Sequence, residues 1–71
     1  MQKNVDVHGM VAFRVTFEVG SNDKPCDVLS VAQWMPKPFW RYEVIWTRDS
    51  PVAPPWLVWQ AVATALNDLE V

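Results

Sequence analysis

Cys26 and His8, the one cysteine and the one histidine of this 71-residue chain, are the side chains best equipped for covalent chemistry. A thiolate activated by an imidazole, with a carboxylate such as Asp27 orienting the ring, is the arrangement of a cysteine nucleophile. The sequence gives no reason for the three to meet. His8 lies on the polar side of an alternating segment, and Cys26 opens the next segment behind Pro25. A surface imidazole and a small buried thiol are the plainer reading. No catalytic residue is assigned, and the chain is read as non-enzymatic.

Metal and phosphate chemistry fare similarly. One His and one Cys, neither with a partner three or four positions away, cannot supply a three- or four-ligand zinc site. Gly9 and Gly20 stand apart and build no phosphate-cradling loop. Asp68 and Glu70 fall at a polar helix end, where solvation accounts for them. The expectation is therefore no metal and no cofactor.

A formal charge of −2 and a pI near 5.0 exclude a general basic field that would gather phosphate backbones. The eight acidic residues are spread along the chain rather than massed, so nucleic-acid mimicry is not indicated either. A lone cysteine permits no internal disulfide. The opening MQKNVDVHG lacks the apolar core of a signal peptide, and no apolar run reaches the roughly 18 residues that would span a bilayer. A cytoplasmic protein without membrane association is expected. The length suits a single domain over residues 1–71, of a size whose core supplies no more than about 3–5 kcal/mol net.

The elements follow from periodicity. Between Val5 and Val19 the odd positions are almost all apolar, while the even ones include Asp6, His8, Arg14, Thr16 and Glu18. Sustained alternation predicts a half-buried strand over 10–19, with Gly9 a bulge or bend after a short leading segment. Gly20 to Pro25 gathers turn-forming residues and reverses the chain. Residues 27–34 read as a second strand, although Val28, Leu29, Ala32 and Met35 would also share one helical face; their short run before Pro36 and Pro38 favours the strand. Residues 39–48 alternate Trp40, Tyr42, Val44 and Trp46 against Arg41, Glu43 and Thr47, a third strand. Pro51, Pro54 and Pro55 bar a further strand, and a helix over about 55–69 presents Trp59, Val62, Leu66 and Leu69 on one side. The expected architecture is α+β, a three-stranded antiparallel meander with one C-terminal helix on one face (βββα). Phe13, Val15, Phe17, Val44, Trp46, Trp59, Val62 and Leu66 are the expected core.

What remains is aromatic surface. Five of the residues are Trp, and the stretch WMPKPFWRYEVIW at 34–46 holds much of the ring content. Trp40, Tyr42, Trp46 and Trp59 sit where core residues should. Trp34, beside a proline loop, and Trp56, in the first helical turn, are the rings expected to be exposed. With Lys37, Phe39 and Arg41 they form the expected protein-binding residues, because partly exposed Trp and Arg dominate interface energetics. The partner would be another protein, bound as by an accessory factor or inhibitor. A homodimer that buries the same rings is the nearest competitor. The alternative is a stacking platform for single-stranded nucleic acid along residues 37–42, which six cations against eight anions make less favourable.

The order Trp34-Met35-Pro36, Pro38-Phe39-Trp40 and Trp46-Thr47-Arg48-Asp49-Ser50-Pro51, followed by a helix, resembles that of the tryptophan motifs in MbtH-like proteins. That resemblance implies an adenylation domain of nonribosomal peptide synthesis as partner, with no residue role carried over. In its brevity and tryptophan content the chain also resembles accessory proteins of phages and mobile elements.

Overall fold

A computed structural model describes residues 1–70. The element order is β1 (Gln2–Val7), β2 (Phe13–Val19), β3 (Pro25–Met35), β4 (Arg41–Thr47) and α1 (Trp56–Glu70). The strands form one antiparallel sheet in the order β1-β2-β3-β4, and α1 packs across β1, β2 and β3. The fold is thus α+β with a C-terminal helix, as expected, but the meander has four strands rather than three.

The extra strand comes from the segment before Gly9. The chain does not merely bend there: it reverses over residues 8–12, and Val5 pairs with Val15, Val7 with Phe13. Each pair joins two odd positions, so both strands turn their odd side chains toward the same face. A hairpin in this register preserves the odd-apolar pattern from Val5 to Val19 that a single bent strand would show. The 26–34 ambiguity resolves as strand, with Val31 facing Val15 and Val28 facing Phe17.

The core lies between the helix and the sheet. On β2 the odd residues Phe13, Val15, Phe17 and Val19 are buried and the even ones are not. Val7 and Val31 join them from the neighbouring strands, and α1 contributes Val58, Ala61, Val62 and Ala65. Leu66, Leu69 and Trp46 pack at its margin. Two expected core residues are corrections. Trp59 is 56% exposed and Val44 60% exposed.

Each correction has a local cause. Along α1 the stripe facing the sheet runs Val58, Ala61, Val62, Ala65, at spacings of three, one and three, rather than through Trp59. Small side chains let the helix approach closely, and the indole of Trp59 is left at the flank. On β4 a bulge intervenes: Val31 opposes Trp46 while Ala32 opposes Val44, so Ile45 is the additional residue. The bulge breaks the alternation. Trp46 turns to the helix side, while Tyr42 and Val44 face the other way. The Trp46 indole N–H, buried by this turn, has no hydrogen-bond partner among the described residues.

Within its 39 × 30 × 21 Å extent the molecule has one helix layer and one sheet layer, and the second sheet face is bare. Its accessible surface of 5163 Å² exceeds the about 4,500 Å² typical of a monomer of this mass.

Candidate functional site: the helix-free sheet face

The bare face collects the side chains that point away from α1. By register these include Asn4 and Asp6 on β1, Arg14 and Thr16 on β2, Ala32 and Trp34 on β3, and Tyr42 and Val44 on β4. The face is graded. Toward one end Thr16 Oγ1 donates to Asn4 Oδ1 at 2.9 Å, a polar surface suited to water. Toward the other end the rings gather.

Trp34 and Tyr42 are directly opposed on β3 and β4, and their rings meet edge to face at 5.2 Å. Trp40 tilts over Trp34 at 6.3 Å. Its backbone has φ of 49°, the left-handed region, which costs a bulky L-residue on the order of 1–2 kcal/mol. The turn that precedes it is closed by the Phe39 N–H donating to Pro36 O at 3.0 Å. The ring of Trp40, 64% exposed, is therefore held beside its neighbours on strained backbone rather than released into solvent.

The cluster continues as charge. The Arg14 guanidinium lies 4.0 Å from the centroid of the Tyr42 ring, a cation–π contact. Behind it, Asp6 accepts from Arg14 Nε at 2.7 Å and from Nη2 at 3.1 Å, a bidentate pair across β1 and β2. The hydrogen bonds from Arg14 hold the Asp6 carboxyl below its ordinary range and raise the Arg14 guanidinium. Asp6, Arg14, Tyr42, Trp34 and Trp40 form a connected series that draws on all four strands.

A carboxylate whose folded pKa is lowered adds stability above its unfolded pKa and loses it as pH falls through the folded value. The Asp6–Arg14 contribution is accordingly present at neutral pH and disappears below the usual carboxylate range. More than a third of each side chain is exposed, so solvent screens the pair and leaves it a small contribution. Asp6→Asn should lower stability slightly at pH 7 and by less at pH 2. Paired urea titrations check it, and an equal loss at both pH values would show that the ion pair is not its source.

The structure divides the five expected binding residues. Trp34 is half-buried at the centre of the ring cluster. Lys37 and Phe39 are exposed in the loop between β3 and β4, beside Trp40. Arg41 opposes Met35 in the register, on the helix side of β4, and salt-bridges Glu43 at 3.1 Å. Its guanidinium reaches back to 5.6 Å from the Phe39 ring. Trp56 is 74% exposed on the first turn of α1 and takes no part in the ring contacts of Trp34. Trp40 and Tyr42, expected in the core, belong to the site instead, and Arg14 joins them.

Other features are more dispersed. A groove of about 410 Å³ between α1 and the sheet is lined by Val28, Trp46, Pro54 and Trp59, with the Asp27–Arg48 ion pair of 2.7 Å at its rim. Cys26 is exposed rather than buried, and at 3.7 Å its thiol hydrogen-bonds to Lys24 O. His8 follows β1, while Cys26 is the second residue of β3, at the opposite end of the sheet. Among the described residues no three His, Cys, Asp or Glu side chains gather to hold a metal, and no helix is long and apolar enough to cross a membrane.

The chain matches no known protein family, and no curated protein or solved structure matches it significantly. The motif order shared with MbtH-like proteins has no family match behind it.

Proposed function

We propose that the chain is a non-enzymatic protein-binding module, an accessory factor or inhibitor, that docks its partner on the helix-free sheet face. Trp34, Trp40 and Tyr42 are the energetic centre in this reading, with Arg14, Lys37 and Phe39 around them. One observation carries it: a tryptophan 64% exposed and held on left-handed backbone against Trp34, whose ring in turn meets Tyr42, on a face that nothing in the fold covers. Rings already fixed by their neighbours lose little conformational entropy on docking, so most of their buried area is retained as affinity. Arg14, packed on the Tyr42 ring, adds a cation at the margin.

The test is capture of protein from the native host on immobilised chain, with Trp34→Ala, Trp40→Ala and Trp56→Ala in parallel. The first two substitutions should weaken capture of the same partner by at least about tenfold, the effect of removing a hot-spot ring, and the third should not. Equal capture by all three variants would overturn the reading. Binding of single-stranded oligonucleotides that falls steeply with salt would instead establish the nucleic-acid alternative. Adding the chain to the captured partner's own activity assay separates assistance from inhibition.

A further inference from the structure

We propose that two copies of this chain join edge to edge through β4, antiparallel about a two-fold axis at Tyr42, so that their sheets become one. This goes beyond the docking reading and does not depend on it, since the pairing is made by main-chain groups of the sheet edge and not by the rings.

β4 is an outer strand of the sheet, and α1 packs across β1 to β3, so β4 projects beyond the helix. The other outer strand, β1, carries Lys3 on its helix side, an inward lysine of the kind that keeps edges from pairing. β4 offers donors and acceptors in the phase that pairing needs. The Trp34 N–H donates to Ala12 O on the β2 side. Main-chain groups alternate direction along a strand, so those of Gln33 and Met35 face β4 and engage Glu43 and Arg41, their register partners. Those of Tyr42 and Val44 are then left pointing at the free edge. A two-fold axis at Tyr42 lets the two tyrosines exchange both main-chain hydrogen bonds.

Charge selects the register. Opposed residues share a face, so odd positions of one copy must meet odd positions of the other. Centring on Arg41 sets the two arginines against each other, and centring on Glu43 does the same with the two glutamates. Centring on Tyr42 sets Arg41 of each copy against Glu43 of the other, twice. In that register the regular pairing runs from Arg41 to Glu43, and Val44 of each copy lies beside residue 40 of the other, just where β4 begins. The bulge at Ile45 ends the regular stretch, which makes the pairing short and the dimer reversible. The dimer would carry two ring clusters side by side on one continuous face.

Sedimentation equilibrium of the full chain from micromolar to millimolar concentration tests the proposal. The average mass should rise from 8.2 kDa toward twice that value, and added salt should weaken the association. Arg41→Glu alone and Glu43→Arg alone each place like charges across the axis and should weaken dimerisation at least tenfold. An equimolar mixture of the two variants again sets opposite charges against each other and should dimerise as the unaltered chain does. Both side chains are exposed, and recovery on mixing shows at once that neither variant is misfolded. A mass fixed at 8.2 kDa for the unaltered chain, single variants that dimerise normally, or a mixture no better than its components would each overturn it. Protein capture that persists in the monomeric variants and is lost with Trp34→Ala separates this proposal from the docking one.

Discussion

Phe17→Ala should abolish the folded state at room temperature. Phe17 is 1% exposed in the middle of β2, the largest of the fully buried side chains, with Lys3 opposite it on one side and Val28 on the other. Truncating a buried Phe costs about 3–5 kcal/mol, from lost transfer energy and from the cavity that remains. A domain of this size holds about 3–5 kcal/mol in total, so the substitution removes essentially all of it. Phe39→Ala removes the same ring from a position 55% exposed and should change stability by no more than about 0.5 kcal/mol. Far-UV circular dichroism through a urea titration distinguishes the two. A cooperative Phe17→Ala transition with a midpoint near that of the unaltered chain would mean that the core is centred elsewhere.

Strand type and the buried side of β2 were legible in the sequence because burial there is dictated by local alternation. Phe13, Val15 and Phe17 follow one another at a period of two, and nothing distant can change which side they share. The reversal at residues 8–12 was not legible, because a hairpin whose odd residues pair with odd residues leaves the same alternation as one long strand. Its loop, His8-Gly9-Met10-Val11-Ala12, offers one glycine and no Pro, Asn or Asp to announce a turn.

The site was half legible, for a related reason. Its place beside the proline loop marks Trp34 out in the sequence. Parity alone places Trp40 and Tyr42 in the core with Trp46, and the bulge at Ile45 separates what parity joins. A bulge depends on pairing with β3, so no property of residues 40–46 alone reveals it. Arg14 could be placed on the polar side of its strand, but its neighbours Asp6 and Tyr42 come from β1 and β4, and only the assembled sheet brings them within reach.

The helix provides the second large effect, because it tests which stripe faces the sheet. Ala65 is fully buried against the strands, whereas Ala63, two positions earlier, is exposed. Ala65→Leu forces a larger side chain into a space where the helix approaches on alanines, and overpacking of this kind costs about 1–3 kcal/mol. Against a total of about 3–5 kcal/mol, that is enough to leave a substantial unfolded fraction at 37 °C. Ala63→Leu adds the same atoms on the solvent side and should fall within about 0.5 kcal/mol of the unaltered chain. Trp59→Ala, which would cost about 3–5 kcal/mol if Trp59 lay in the core, should cost well under half of that, since more than half of the side chain is already in water. Chemical denaturation of the three variants decides the matter through their order. Ala65→Leu as the most destabilised assigns the buried stripe to Val58, Ala61, Val62 and Ala65. Trp59→Ala as the most destabilised would mean that the helix is rotated about its axis, with the indole turned from the flank into the core between helix and sheet.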